Sequence, residues 1–332
     1  MSSPVAVTIH PSQFPQAIQK DLLQSLRSRC INHKFHYDSI KQTQKWFALH
    51  HAYSPSQKDT SCERAYANAF AFTTRVMAAN RVQVVSLCCG DGSKEKNLIQ
   101  RLKAPGKTLS YVPSDSSLVM ALTAHHAASS FIPASRSHPL VCDLQATRDL
   151  PDVLKPFGEA GQRRLVTFFG TIHNYPPPLI AARLATLLGK GDLLLVGANM
   201  ASAKDYSDAV RRIAKQYDNE LTHDWLCTLL FDLGITASDG KAETVVERCP
   251  FKSGLLRIAI YFRFSRRCSL NLGIEKFHFR PGQRIRLFFS YRYTPELLRK
   301  LFRKHGISML KQWASSSEEE GVFLCRRAVR KP

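Results

Sequence analysis

Among 332 residues there is no C-x-x-C pair, and none of the nine cysteines stands with histidines at zinc-ligand spacing. That argues against a metal site and for reduced thiols in a cytoplasmic protein. No apolar run approaches the roughly 18 residues that cross a bilayer. The opening Met1-Ser2-Ser3-Pro4 has no basic segment ahead of an apolar core, so neither a membrane anchor nor a secretory leader is expected. There is no G-x-G-x-x-G fingerprint and no Gly-Lys-Ser/Thr to grip a triphosphate. Internal repeats are missing too. Acidic residues are scarce, with 26 Asp and Glu against 47 Lys and Arg, a net charge of +21. The excess is concentrated: residues 251–332 hold 19 Lys/Arg and 5 Asp/Glu, so 14 of the 21 charges lie in the last quarter. Such a surface can serve nucleic acid or an anionic membrane. Here, however, the charges alternate with apolar residues, as in Arg257-Ile258-Ala259-Ile260-Tyr261-Phe262-Arg263-Phe264, or line a helix face at Arg299, Lys300, Arg303 and Lys304. No aromatic-interleaved RNA-reading motif accompanies them, and the expectation is a solvated basic face with no specific nucleic acid and no membrane as partner.

What is present is an apolar run, Val84-Val85-Ser86-Leu87, that ends in Cys88-Cys89-Gly90-Asp91-Gly92-Ser93-Lys94 and then a helical pattern through Asn97, Leu98, Ile99 and Leu102. Glycines at such a turn let a ligand approach the backbone. Asp115 closes a second apolar run 25 residues after Gly90, near the place where a nucleotide-binding α/β domain keeps its ribose-binding acid. A loose glycine loop plus that acid suits an adenosyl ligand without phosphates, S-adenosyl-L-methionine.

Five strand candidates, 83–89, 109–114, 138–142, 164–171 and 191–198, alternate with helical patterns at 61–79, 94–103, 116–128 and 178–188. That alternation predicts an α/β domain, a parallel sheet with helices on both faces. From 203 to 235 the pattern is helical and polar. From 255 to 290 it is β, with strands at Leu256–Phe264 and Glu275–Phe279 and a turn at Pro281-Gly282. Thr294-Pro295-Glu296 reads as a capped helix start, and strands at 307–313 and 320–327 flank Ser315-Ser316-Ser317. A final hairpin of this kind completes the Rossmann-like sheet of class I methyltransferases. The predicted division is a cofactor-binding domain at 60–200 plus 291–332, and a discontinuous α+β substrate domain at 1–59 plus 201–290.

At 164–179 an apolar strand runs into Gly170-Thr171-Ile172-His173-Asn174-Tyr175-Pro176 and then a helix. This resembles the histidine-specific S-adenosylmethionine methyltransferases of ergothioneine biosynthesis, whose signature there is Gly-Ser-Thr-Ile-Gly-Asn-Phe. Further matches follow in order. Lys34-Phe35-His36-Tyr37-Asp38 resembles Lys-x-Phe-Tyr-Asp, and Tyr53, Pro55 and Glu63 resemble Tyr-Tyr-Pro-x-x-x-Glu with an insertion. Tyr111-Val112-Pro113-Ser114-Asp115 is similar to Tyr-x-Pro-x-Asp, and Leu193 to Asn199 to Leu-Leu-x-Gly-x-Asp. Tyr217-Asp218-Asn219 matches Tyr-Asp-Asp/Asn, and Ser290-Tyr291-Arg292-Tyr293-Thr294 matches Ser-Tyr-Lys-Tyr-Ser/Thr. The resemblance implies that Gly90 and Lys94 lie by the methionine part of the cofactor. It further implies that Asp115 takes the ribose hydroxyls, and that Asp143, beside Leu144, accepts from the adenine amine. Tyr37, Tyr53, Asn174 and Tyr217 would hold the ammonium and carboxylate of an amino acid, with Tyr37, Asn174 and Tyr217 nearest the chemistry. His173 stands where the family often has Gly and is not expected to be catalytic.

The departures fall on the substrate side chain. The family grips imidazole with a Glu two residues before the motif serine, where this chain has Phe288; Ser290 remains, and a family Met is replaced by Ile260. An imidazole N–H left without a partner in a closed pocket costs about 1–3 kcal/mol. The expectation is an N-methyltransferase of a small amine, an α-amino acid or derivative other than histidine. A methyltransferase of RNA or protein and a non-catalytic cofactor-binding relative are the rival classes.

Overall fold

The computed structural model describes residues 4–54 and 59–328, and its chain divides into two compact units. Unit 1 comprises residues 1–13, 55–200 and 293–332, and unit 2 comprises 14–54 and 201–292. Pro55, of the Tyr53/Pro55/Glu63 motif, lies outside the described residues.

Unit 1 is built on one eight-stranded sheet. Its strands are β1 (Thr8–Ile9), β2 (Arg81–Leu87), β3 (Thr108–Asp115), β4 (Leu140–Val141), β5 (Arg163–Phe169) and β6 (Leu193–Asn199), with β12 (Ile307–Ala314) and β13 (Glu320–Arg327) from the chain's end. Their order is β1-β4-β3-β2-β5-β6-β13-β12. Strands β1 to β6 pair in parallel, and β13 lies antiparallel against both β6 and β12. This is an α/β, Rossmann-like sheet with the terminal antiparallel hairpin of class I methyltransferases. Parallel strands covered on both faces read as nearly continuous apolar runs, and Val82, Val84, Val85, Leu165, Val166, Leu194, Leu195 and Val196 are all buried. Between them run α3 (Thr60–Val76), α4 (Ser93–Leu102), α5 (Leu118–Ala128), α6 (Leu150–Val153) and α7 (Pro177–Thr186), with α10 (Pro295–Lys304) ahead of β12. Ser117 caps α5 and Thr294 caps α10 through the backbone N–H three residues on, at 3.4 and 3.2 Å, as the sequence predicts for Thr294.

Residues 4–13 belong to unit 1, whereas the sequence reading places 1–59 together in the substrate domain. Strand β1 adds to β4 in parallel. Ser12 Oγ accepts from the Asp143 N–H at 3.0 Å, and Gln13 donates to the Ser116 carbonyl. A two-residue strand gives too short an apolar pattern to be seen in the sequence.

Unit 2 contains α1 (Pro15–Ser28), α2 (Ile40–Tyr53), α8 (Tyr206–Ala214) and α9 (Glu220–Asp232). They accompany an antiparallel sheet of β7 (Gly240–Arg248), β8 (Leu256–Phe264) and β11 (Arg284–Arg292), and a hairpin of β9 (Cys268–Leu272) and β10 (Glu275–Phe279). One sheet face, with Ile260, Phe262, Phe264 and Ile285, joins Trp225, Leu226 and Leu230 of α9 in the core. The other carries the basic residues, matched by acids. Arg257 is bonded to Glu247 at 2.7 and 2.9 Å, and Arg284 reaches Glu243 at 3.0 Å. Among the described residues no helix is long and apolar enough to cross a membrane.

Candidate active site

Strand order reverses between β2 and β5, where an open α/β sheet forms its ligand crevice at the carboxyl ends of the strands. In unit 1 the chain brings its expected cofactor residues to those ends. After β2, Cys88, Gly90 and Gly92 take left-handed backbone angles, with φ of 50°, 54° and 71°. A Cβ on Gly92 would also stand 2.7 Å from Ala124 Cα of α5, so glycine is needed there on two counts. The Gly90 N–H donates to Asp115 Oδ2 at 3.3 Å, and Ser117 N–H donates to Oδ1 at 3.0 Å. The Asp115 carboxyl thus spans the tips of β2 and β3. Burial pushes its pKa up to about 6 despite those donors. Asp143, at the end of β4, is buried with Leu144 beside it, and it accepts from the Gln145 and Ala146 N–H groups at 2.8 and 3.3 Å. It therefore also caps its own turn.

The turn Ile172–Asn174 follows β5, and Tyr175 comes next. The Tyr175 hydroxyl and Cys88 Sγ lie 3.1 Å apart, joining the β5 and β2 tips. Burial raises the pKa of both, so they stay protonated at neutral pH. His173 is buried, and its Nδ1 accepts from the Asn199 N–H at 3.4 Å, a packing role. Asn174 is half-buried among the strand ends. Lys94, in the first turn of α4, holds its ammonium 5.1 Å over the Tyr66 ring. It lines an open cavity of about 760 Å³ with Glu63, Tyr66, Ser93, Asn97 and Arg101.

Sequence reasoning missed Glu95. Buried beneath the glycine loop, it accepts from Ser86 Oγ at 2.8 Å and Thr167 Oγ1 at 3.0 Å, tying α4 to β2 and β5. Burial raises its pKa. In sequence it reads as an ordinary acid at a helix start.

Unit 2 gathers most of the expected acceptor residues into an aromatic cluster. The Tyr37 ring meets Trp225 edge-on at 5.3 Å and Trp46 at 6.0 Å. Phe288 lies 5.9 Å from Trp225 and 6.1 Å from Tyr217, and stacks on His33 at 4.8 Å. Ile260 faces Phe288 across the ladder. Tyr217 donates to Ser290 Oγ at 3.4 Å and accepts from the Arg292 guanidinium. Asn219 caps α9 by accepting the Thr222 N–H at 2.9 Å, which gives the Tyr217-Asp218-Asn219 motif a structural reason. Tyr53 ends α2 and is 52% exposed.

Two histidines of the Asn32–Tyr37 segment complete this wall. The β11 ladder has a bulge between Arg286 and Phe288. His36 Nε2 donates to the Leu287 carbonyl at 2.7 Å, and His33 Nε2 accepts the Phe289 N–H at 3.2 Å. His36 is fully buried, which lowers its pKa to about 4. His36 is therefore neutral with its proton on Nε2, whereas His33 uses Nε2 as an acceptor. Among the described residues no group of three His, Cys, Asp or Glu could hold a metal ion.

The histidine-specific, S-adenosylmethionine-dependent methyltransferase family matches residues 18–327. The chain belongs to that family. It is an S-adenosylmethionine-dependent methyltransferase, and the glycine loop and buried carboxylate at the β2 and β3 tips suit that cofactor. No curated protein matches the chain. Among solved structures, an S-adenosylmethionine-dependent methyltransferase from Clostridium acetobutylicum is 13% identical, covering 86% of this chain and 99% of its own, with a TM-score of 0.44. The magnesium protoporphyrin IX methyltransferase from Synechocystis is 12% identical over 87% of this chain and 95% of its own, with a TM-score of 0.48. The amino pentose methyltransferase of calicheamicin biosynthesis from Micromonospora echinaspora is 13% identical over 84% and 97%, with a TM-score of 0.42. At this identity and overlap they say nothing of the acceptor.

Proposed function

We propose that this methyltransferase N-methylates a small amine, an α-amino acid or derivative with an apolar or aromatic side chain, and not histidine. The observation that carries this reading is the pairing of Ile260 with Phe288 inside the aromatic cluster. Neither side chain can accept a hydrogen bond from an imidazole, and both suit an apolar group. The head-group residues that the resemblance implies are retained as Tyr37, Tyr53, Asn174 and Tyr217.

Gly90, Lys94, Asp115, Asp143 and Leu144 hold the cofactor, with the Asp115 carboxylate accepting from the ribose hydroxyls and Asp143 from the adenine amine. The bound cofactor supplies an electrophilic methyl on a sulfonium. The protein's work is then to present a neutral amine in line with that methyl, a matter of positioning. Asn174 carries both a donor and an acceptor, so it can orient the amine lone pair. Reduced thiols suit a cytoplasmic enzyme of specialised metabolism.

The test is methyl transfer from isotope-labelled S-adenosylmethionine to a panel of α-amino acids. An aromatic or aliphatic member should be labelled on nitrogen, and Asn174→Ala should lose activity on every substrate by roughly 100-fold. Normal turnover by Asn174→Ala, or labelling of histidine alone, would overturn the reading.

A further inference from the structure

Arg292, the last residue of β11, is 4% exposed. It has no carboxylate partner among the described residues. It donates to the Tyr217 hydroxyl and lies 5.4 Å over that ring, and its Nε is buried without an acceptor. A buried guanidinium facing only neutral groups is costly unless an anion balances it. Arginine offers five N–H donors in a planar fork that matches a carboxylate, and here most of that fork is unused.

Its surroundings are those of the acceptor cluster. Phe288, Ser290 and Arg292 pair with Ile260, Ile258 and Leu256 in turn, so the three share one face of the strand. Tyr217 touches all three, by its ring at Phe288 and its hydroxyl at Ser290 and Arg292. An apolar contact thus lies at one end of Tyr217 and a cation at the other. Its 3.4 Å bond to Ser290 is long, and a carboxylate would be a stronger acceptor for the same proton. The family motif has Lys where this chain has Arg292, and only Arg presents a fork.

We propose that Arg292 is the carboxylate receptor of the acceptor site, and that the enzyme therefore selects amines that keep a free carboxylate. The inference rests on the amino-acid reading above and deepens it. Tyr217 turns its hydroxyl proton from Ser290 to the ligand carboxylate, while Arg292 supplies the paired donors and the charge.

Calorimetric titration of the protein saturated with S-adenosylhomocysteine tests it with three matched pairs. They are L-tryptophan and L-tryptophanamide, L-phenylalanine and L-phenylalaninamide, and indole-3-acetate and indole-3-acetamide. Each acid that binds should do so at least tenfold more tightly than its amide. Arg292→Met should reduce that preference to within about threefold, and Arg292→Lys should keep part of it. A merely structural arginine would weaken acid and amide alike. Equal binding of acids and amides by the unaltered protein overturns the proposal. So does a preference that survives in Arg292→Met, or, if that variant does not fold, one that is undiminished in Arg292→Lys. So does failure of every acid to bind a protein that binds S-adenosylhomocysteine. Arg292-dependent binding of indole-3-acetate with no amine methylated would instead uphold the receptor and remove the amino-acid methyltransferase reading.

Discussion

Ile260 and Phe288 stand directly opposite each other across the β8–β11 ladder, and both are buried. Directly opposed side chains on one sheet face are the closest cross-strand neighbours, so this pair forms a single apolar surface. Incubation with labelled cofactor and histidine should give little or no trimethylated product. Phe288→Glu should weaken the native acceptor and lower stability, because an unpaired carboxylate enters an apolar cluster. It should also raise histidine turnover from its low level. Efficient conversion of histidine to its betaine by the unaltered enzyme, read by mass spectrometry, would remove this account of selectivity.

On the proposed cofactor placement, Asp115 should tie cofactor affinity to pH. Its folded pKa, raised by burial to about 6, means that ionisation is resisted in the empty site. Its contribution to stability is thus full below about pH 4 and is lost as pH rises through 6. Ligand hydroxyls favour the ionised form, so the affinity for S-adenosylhomocysteine should rise about tenfold from pH 5 to pH 7. Asp115→Asn should flatten that profile. Asp115→Ala should lose two hydrogen bonds to a charged acceptor, about 3 kcal/mol. Unchanged affinity in the alanine variant would contradict the placement of the ribose.

His36 works in the opposite direction. With a folded pKa of about 4 against 6.5 in water, its neutral form is favoured by about 3 kcal/mol. That stabilisation is present above pH 6.5 and is lost as pH falls through 4. Trp225, whose ring lies 5.6 Å from His36 and whose Nε1 donates to the His36 carbonyl at 2.8 Å, should report the loss by fluorescence. His36→Gln should keep a donor for Leu287 and abolish the acid step. An unaltered step in that variant would assign it to another group.

Gly92→Ala should disable cofactor binding and destabilise the fold by more than about 2 kcal/mol. Left-handed strain and the clash with α5 backbone act together there. Gly106, whose φ is 75° with nothing within 4 Å, is the control: alanine there should cost about 1 kcal/mol and leave binding intact. Thermal denaturation with and without S-adenosylhomocysteine separates the two.

The basic surface should not retain nucleic acid. Arg257, Arg284 and Arg263 lie against Glu247 and Glu243, so part of the formal charge is locally offset. Binding of a defined RNA at about 150 mM salt should be weak and independent of sequence. A submicromolar, sequence-dependent complex would point instead to an RNA substrate.

Apart from β1, the parallel strands of unit 1 were legible because buried parallel strands are apolar runs, and glycines, caps and prolines mark their ends. Leu256–Phe264 and Glu275–Phe279 were legible for a different reason, the alternation of apolar and polar residues in antiparallel strands with one buried face. Strands β7, β9 and β11 were not individually resolved, since Lys241-Ala242-Glu243 and Arg284-Ile285-Arg286 alternate polar and apolar residues too briefly to mark an edge. The site was legible as motifs and not as geometry. Nothing in the spelling Ser-Tyr-Arg-Tyr says that Arg292 is buried with no carboxylate partner among the described residues. The histidines of Asn32–Tyr37 likewise gave no sign that they satisfy a bulge more than 250 residues away.

The bulge at Leu287 has a meaning for inheritance that no single side chain carries. Strand residues alternate between faces, so one extra residue reverses the parity of everything after it. Phe288, Ser290 and Arg292 share the face of Ile285 because the ladder sets Leu287 aside, unpaired, between Arg286 and Phe288. Substitutions along β11 can tune the acceptor by small steps. Were Leu287 instead taken into the ladder as an ordinary position, Phe288, Ser290 and Arg292 would turn at once onto the side now held by Arg284 and Arg286. The spelling of the strand therefore has to keep one letter out of the ladder for the rest to face inward.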